Sequence, residues 1–170
     1  MNYLRVFINM VDGFSRKQAM IVCWVIFPLI FVLDYEVTAR YVFNAPTIWA
    51  YDFAYIFYGV LFMLGGAYTL LVDEHVRIDM LYMKMSPKGR SIVEILGYIV
   101  FFFPVVIGYL YFGIEFTWDA YVFKEVAQDS IFAPIIWPYK LVMPLAALFL
   151  LLQGIANFTR HCLNVLGREL

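Results

Sequence analysis

Long stretches of apolar residues alternate along the chain with short polar segments. Residues 53–72 and 95–114 are runs of 20 residues without a charge, and residues 19–33 and 141–159 are uncharged runs of 15 and 19 residues. Twenty residues of helix cover about 30 Å, the thickness of the hydrocarbon core of a bilayer. The pattern therefore predicts four transmembrane helices at approximately residues 19–41, 53–72, 95–114 and 141–159.

The first run is shorter than a transmembrane helix requires, so we expect its helix to continue through residues 34–41. Glu36 and Arg40 are four positions apart in this extension and share one helix face, where they can form an ion pair. None of the runs shows the two-residue alternation of a transmembrane β-strand. Because backbone groups in lipid must be hydrogen-bonded within their own segment, all four spans are expected to be helices.

Composition supports the same class of protein. The 170 residues are 64% hydrophobic and 15% charged, whereas soluble domains are about half apolar and about a quarter charged. A soluble fold of this length would leave a large apolar surface in water. The expected fold is an all-α integral membrane protein with a single domain over residues 1–170, with local bends at Pro28, Pro104 and Pro144.

Lysine and arginine are distributed unevenly between the two sides of this topology. Nine lie in the N-terminal segment, in the connection between the second and third helices or in the C-terminal tail, and three lie in the other connections. The positive-inside rule therefore places both termini and residues 73–94 in the cytoplasm and residues 115–140 outside.

Two further segments are expected to lie in the membrane surface. In residues 3–14, apolar side chains recur at three- and four-residue spacing, which is typical of an amphipathic surface helix. Residues 76–90 combine apolar side chains with four cations. Within that segment Lys84, Lys88 and Arg90 are expected to contact anionic lipid head groups.

The sequence contains no nucleophile elbow, no zinc-binding histidine pair and no glycine-rich phosphate loop. We therefore expect a protein that is not an enzyme and that holds no cofactor or metal. A net charge of −1 offers no basic surface for nucleic acid. Cys23 and Cys162 are expected to be unpaired packing residues.

Asp34, Glu36, Arg40 and Asp52 gather near the end of the first helical hairpin. One hypothesis makes Glu36 or Asp34 the ion site of a small autonomous transporter, because charges in membrane spans are costly and often functional. The favoured interpretation is an ion pair of Arg40 with Glu36 or Asp52, since no charge lies centrally in a span. A third hypothesis, a membrane anchor for a redox enzyme, requires histidines that reach a haem from within the bundle, whereas both histidines lie at its margin.

Several short segments, in their order and spacing, resemble the small membrane subunit of tripartite ATP-independent periplasmic (TRAP) transporters, the DctQ-like or Q family. The segments are Arg40-Tyr-Val-Phe-Asn44 with Pro46, Trp49 and Asp52, then Asp73-Glu-His-Val-Arg-Ile-Asp79, and finally Trp137-Pro-Tyr-Lys140 with Gln153. The family often has a glutamate near the position of Asp52, so the carboxylate is retained here.

The resemblance implies an accessory or scaffold subunit of a sodium-coupled secondary transporter in the bacterial inner membrane. Its expected partners are a large elevator-type transport subunit, a periplasmic substrate-binding protein and membrane lipids, with sodium bound at the large subunit. Small organic acids are the expected substrates. The residues expected at structural or interface positions are Glu36, Arg40, Trp49, Asp52, His75, Arg77 and Asp79.

Overall fold

The computed structural model describes residues 2–72, 86–128 and 130–167, and these residues fold into helices joined by short connections. The described part of the chain contains no β-strand, and an isolated antiparallel bridge joins Val126 to Ile135. The helices are α1 (Asn2–Cys23), α2 (Ile26–Tyr41), α3 (Ala50–Leu71), α4 (Pro87–Gly97), α5 (Phe103–Val122), α6 (Trp137–Lys140) and α7 (Val142–Val165), with a π-helical turn (Tyr98–Phe102) between α4 and α5. The predicted all-α fold is confirmed.

Four helical segments are long and apolar enough to cross a bilayer, as the sequence predicted. They are Tyr3–Tyr41, Ala50–Leu71, Lys88–Val122 and Trp137–Val165, with lengths of 39, 22, 35 and 29 residues. Three of them are longer than about 25 residues, the upper end of an ordinary span. The chain is therefore a multi-pass membrane protein whose helices extend beyond the uncharged runs of its sequence.

The long first segment is interrupted between α1 and α2, and Pro28 explains the position of the interruption. A proline has no N–H, so the carbonyl of Trp24, four residues earlier, has no helical donor. The backbone N–H of Phe27 donates to that carbonyl instead, at 3.3 Å, and the N–H of Val25 donates to the carbonyl of Val22 at 2.9 Å. These tighter three-residue bonds replace one turn of α-helix.

Proline also changes the backbone hydrogen bonding of the third and fourth segments. Pro104 leaves the carbonyl of Val100 without its usual donor, and Val100 lies in the π-helical turn Tyr98–Phe102. Pro144 leaves the carbonyl of Lys140 without its donor, and α6 ends at Lys140. The bends expected at the three prolines are thus local changes of helix type two to six residues before each proline.

Helix α7 lies at the centre of the bundle and packs against α1, α3, α4 and α5. Its buried face carries small residues, among them Ala146, Ala147 and Ala156. At Gly154 a Cβ atom would lie 2.1 Å from the ring of Phe102, so glycine is required for this close approach. Helix α2 packs against α3 and leaves most of its apolar side chains on the surface of the chain.

Helix α1 has two different faces. Its buried residues recur at helical spacing and pack against α3 and α7, and they are Ile8, Val11, Ser15, Gln18, Ala19 and Val22. Beside this face, Tyr3, Met10 and Phe14 are exposed. The expected surface helix over residues 3–14 is therefore the first half of a longer helix, in which Ile8 and Val11 are buried with Ala156 of α7.

The second expected surface segment, residues 76–90, falls mostly outside the described residues. Its last part begins α4, where the Ser86 hydroxyl caps the helix by accepting a hydrogen bond from the N–H of Gly89 at 3.2 Å. Lys88 and Arg90 are exposed on the first turns of α4. Lys84 lies outside the described residues.

Candidate functional site

Glu36 forms the centre of a group of side chains at the end of the first hairpin, here called the hairpin cluster (Glu36, Arg40 and Thr47). One carboxylate oxygen of Glu36 accepts a hydrogen bond from Nε of Arg40 at 2.9 Å and a second from its Nη2. The other oxygen accepts from the N–H of Thr47 at 3.0 Å and from the Thr47 hydroxyl. Of the two partners considered for Arg40, the structure selects Glu36.

The chain reverses sharply between α2 and α3, which brings Thr47 back to Glu36. Asn44 adopts a left-handed conformation with φ of 50°, and the N–H of Ala45 donates to the carbonyl of Ala39 at 2.9 Å. Asparagine tolerates this conformation better than most residues, and Pro46 prevents the helix from continuing. The hydroxyl of Thr47 then accepts from the N–H of Ala50 at 3.4 Å, at the first residue of α3.

Trp49 adds an aromatic contact beside the hairpin cluster. Its ring stacks on Tyr35 of α2 with the ring centroids 5.5 Å apart, and it meets Phe53 of α3 edge-on at 5.9 Å. Aromatic pairs at these distances add stability beyond the area that they bury. Trp49 thus joins the end of α2 to the beginning of α3.

Asp52 lies apart from Arg40 and connects α3 to a different part of the chain. Its carboxylate is buried, with 8% of the residue exposed, and it accepts a hydrogen bond from the hydroxyl of Ser130. The same hydroxyl accepts from the N–H of Phe132 at 3.1 Å. Asp52 therefore binds the connection between α5 and α6, residues 123–136.

That connection is also held by Lys140, a residue that the sequence did not single out as a site. Lys140 is buried, forms an ion pair with Glu125 and places its Nζ 3.5 Å from the centroid of the Phe116 ring. A lysine at the start of an apolar helix needs such partners, because an unpaired buried ammonium is costly. The position of Lys140 directly before the apolar run 141–159 is the sequence feature that could have identified it as a paired, buried cation.

A cavity of about 690 Å³ lies between these groups. Its walls come from α3, α5, the connection 123–136, α6 and the start of α7, so it is named the loop-end cavity. Its lining includes Asp52, Tyr55, Met63, Glu125, Tyr139 and Lys140. It combines carboxylates and an ammonium group at the loop with methionine side chains farther along the helices.

A second set of polar side chains, here called the polar network, connects α1 to α7 away from this cavity. Its members are Asp12, Ser15, Gln153, Asn157 and Arg160. Ser15 donates to the Gln153 amide oxygen at 2.7 Å, and the Gln153 amide nitrogen donates to Asp12 at 3.1 Å and to Asn157 at 3.3 Å. Arg160 donates to Asn157 at 2.6 Å and forms an ion pair with Asp12.

Helix α3 joins the polar network through its backbone. The side chain of Asn157 donates to the carbonyl of Leu70 at 2.9 Å, and nearby Gln18 donates to the carbonyl of Leu64 at 2.9 Å. Ser15 and Gln153 are almost completely buried, at 1% and 0% exposure. Of these residues, the sequence singled out Gln153. The four- and three-residue spacing of Gln153, Asn157 and Arg160 nevertheless places all three on one helix face.

The remaining predicted site residues are not brought together in the described part of the chain. His75, Arg77 and Asp79 lie outside the described residues. Among the residues that the structure describes, no three His, Cys, Asp or Glu side chains are grouped so that they could hold a metal ion. Cys23 and Cys162 are both free thiols.

Comparison with protein families gives a match over residues 29–164, which is more than three quarters of the chain. The family is described as "Tripartite ATP-independent periplasmic transporters, DctQ component". Comparison with curated protein sequences gives no significant match. The matched range includes the hairpin cluster, the loop-end cavity and most of α7, and the chain therefore belongs to the DctQ family of TRAP transporter components.

Proposed function

We propose that this chain is the accessory scaffold subunit of a sodium-coupled transporter in the bacterial inner membrane. In this proposal a large elevator-type subunit carries sodium and substrate, and this chain enlarges the stationary part against which the large subunit moves. The substrates are small organic acids delivered by a periplasmic binding protein. Family membership supports the assignment to a TRAP system. The sodium coupling, the elevator-type partner and the organic-acid substrates are parts of the proposal that go beyond family membership.

The observation that carries the scaffold role is the pairing of charged side chains within the chain itself. Asp12 pairs with Arg160 and Glu125 pairs with Lys140, which joins α1 to α7 and the connection 123–136 to the start of α7. Glu36 pairs with Arg40 and also holds Thr47. A transport site would instead leave polar groups facing a path for ions or substrate.

The helix interruptions support the same assignment. In secondary transporters, interrupted helices usually present polar groups and unsatisfied helix ends to the cargo near mid-membrane. Here the interruption between α1 and α2 consists of Trp24 and Val25, which are apolar, and Trp24 is 71% exposed. The alternative of an autonomous transporter based on Glu36 is disfavoured, because both Glu36 carboxylate oxygens accept hydrogen bonds from Arg40 or Thr47.

The proposal includes an orientation. With both termini in the cytoplasm, the hairpin cluster and the connection 123–136 face the periplasm, on the side of the binding protein. The excess of lysine and arginine in the termini and in residues 73–94 supports this orientation. Lys88 and Arg90, which are exposed on α4, then lie on the cytoplasmic side, where anionic head groups attract cations.

Reconstitution of each membrane subunit alone and of both together tests the proposal. Liposomes with an inward sodium gradient and saturated binding protein are expected to accumulate a carboxylic-acid substrate only when both subunits are present. Replacement of sodium by potassium is the control for coupling. Uptake by the small chain alone contradicts the scaffold role, and full uptake by the large subunit alone contradicts the requirement for a scaffold.

A further inference from the structure

The loop-end cavity extends from the polar end of the bundle toward its apolar middle. Along α3 its wall runs from Asp52 to Met63, a distance of about 16 Å at the rise of an α-helix. Met63 accepts a hydrogen bond from the hydroxyl of Tyr109 of α5 at its sulfur, at 3.9 Å. Met143 of α7 lines the cavity from a third side. One end of the cavity is therefore polar and the remainder is apolar.

Among the described residues at the polar end, two carboxylates face one ammonium group. The charged side chains among the described lining residues are Asp52, Glu125 and Lys140. Glu125 and Lys140 pair with each other, whereas the hydrogen bond that Asp52 receives comes from the neutral hydroxyl of Ser130. Asp52 is 8% exposed, so its negative charge is taken largely out of water without a cationic partner in the described residues. A buried carboxylate of this kind favours a cation with N–H donors.

Aromatic rings line the same cavity. Tyr51, Tyr55 and Tyr139 line the cavity, and the rings of Tyr55 and Tyr139 are 5.5 Å apart. The faces of tyrosine rings attract ammonium groups. Gly59 makes room for this arrangement, because a Cβ atom there would lie 2.3 Å from the Tyr139 hydroxyl oxygen.

The size of the cavity limits what can fill it. A volume of about 690 Å³ falls within the range of ligand pockets. Three of the lining side chains are exposed on the surface of the chain, namely Tyr51, Tyr55 and Phe116 at 77%, 58% and 48%. A flexible chain with a polar head matches a cavity that has charged side chains at one end and methionine side chains farther along.

From these observations we infer that the loop-end cavity binds a membrane lipid whose head group carries a primary ammonium, such as phosphatidylethanolamine. The ammonium lies against Asp52 and the tyrosine rings, and an acyl chain extends past Phe116 toward Met63 and Met143. Lys140 donates one of its three N–H groups to Glu125, which leaves donors for the lipid phosphate. The inference does not depend on the transport role of the chain.

The test is native mass spectrometry of the full chain, purified in detergent, stripped of lipid and mixed with equal amounts of three lipids. The three lipids are phosphatidylethanolamine, phosphatidylcholine and phosphatidylglycerol. They carry identical acyl chains, so any difference in binding comes from the head group. We expect retention of phosphatidylethanolamine about tenfold above the other two, which is the effect of one charge-assisted hydrogen bond. Equal retention of the three lipids overturns the inference without any variant.

Two variants and one control examine the position of the site. Asp52→Asn is expected to remove the preference for phosphatidylethanolamine, whereas Asp34→Asn, which changes an exposed carboxylate of α2, is expected to preserve it. Met63→Trp fills the apolar end and is expected to lower retention of all three lipids. A preference that survives in a folded Asp52→Asn protein overturns the assignment of the ammonium site.

Two further experiments distinguish the possible sources of the ammonium group. Water-soluble glycerophosphoethanolamine is expected to compete at least tenfold less well than the lipid, and equal competition overturns the role of the acyl chain. A photoreactive residue at position 143 is expected to crosslink to lipid in native membranes that contain the whole transporter. Crosslinking to a polypeptide instead overturns the inference, because it identifies a protein segment as the occupant.

Discussion

Arg160 of α7 forms an ion pair with Asp12 of α1, a residue 148 positions earlier in the chain. Both side chains are largely buried, with 28% and 17% of their surface exposed. Each partner also bonds to the neighbouring amides, Asp12 to Gln153 and Arg160 to Asn157. The pair therefore holds the beginning of the chain against its last helix.

Neutralising Asp12 is expected to destabilise the protein. Asp12→Asn retains an oxygen that can accept from Gln153 but leaves the Arg160 charge without its partner, which costs about 2 kcal/mol for a pair at this depth. The measurement is the thermal unfolding midpoint of the purified chain in detergent. Arg16→Gln, which removes an exposed cation on the same helix, is the control and is expected to leave the midpoint unchanged.

A double variant tests the pairing itself. Asp12→Asn combined with Arg160→Gln is expected to lose little more stability than either single variant, because the second change removes the charge that the first left unpaired. Simple addition of the two losses would show that the residues act independently and that the ion pair contributes nothing.

Gln153 and Gln18 offer a comparison of two buried amides. Gln153 bonds to Ser15, Asp12 and Asn157. Gln18 donates to the carbonyl of Leu64, but its amide oxygen is buried without a partner among the described residues. We expect Gln153→Leu to cost about 3 kcal/mol and Gln18→Leu about 1 kcal/mol or less, because the second change also removes an unsatisfied acceptor. Urea unfolding followed by circular dichroism measures both, and a larger loss for Gln18→Leu would refute the ranking.

Gly154 is expected to be intolerant of a methyl group. Gly154→Ala places a Cβ atom 2.1 Å from the ring of Phe102, so the ring or one of the two helices must shift, at a cost of about 2 kcal/mol. Gly65→Ala is the matched control in α3, since a Cβ atom there meets nothing within 4 Å. The thermal midpoints of the two variants provide the comparison. Phe102→Leu, which supplies a smaller side chain, is expected to restore part of the stability of Gly154→Ala, and a lack of any rescue would rule out this contact as the cause.

Arg40 is expected to act on assembly more than on the stability of the isolated chain. Its side chain is 53% exposed, and Glu36 keeps its bonds to Thr47 when Arg40 is removed. Arg40→Ala should therefore reduce co-purification of the large subunit, and Arg40→Lys should restore it partly, because a lysine lacks the planar fork of arginine. Substrate preference is expected to stay the same. A changed preference with normal assembly would reassign this end of the chain to a direct transport role.

The proposed orientation is tested by labelling single cysteines in a background that carries Cys23→Ser and Cys162→Ala. Gln128→Cys, in the exposed part of the connection 123–136, should react with a membrane-impermeant maleimide added outside intact cells. Leu166→Cys, exposed after α7, should react only after permeabilisation. The reverse pattern would invert the topology and show that the cation distribution is misleading here.

The sequence predicted those features that depend on residues close together along the chain. Four uncharged runs predicted four membrane helices, and the four-residue spacing of Glu36 and Arg40 predicted their ion pair. The partners of Asp12 and Asp52 could not be predicted in the same way, because Arg160 and Ser130 are 148 and 78 positions away. Pairs at such separations follow from helix packing, which one sequence does not specify.

The longest uninterrupted helical run among the described residues contains Pro104. The length of this run can be compared with the thickness of a bilayer. Lys88–Val122 contains 35 residues, with a π-helical turn in place of a break. Such a run extends about 52 Å and still covers roughly 49 Å at a tilt of about 20°, more than the 40–45 Å of a whole bilayer. At this tilt the helix is longer than the bilayer is thick, so at least one of its ends extends beyond the lipid head groups.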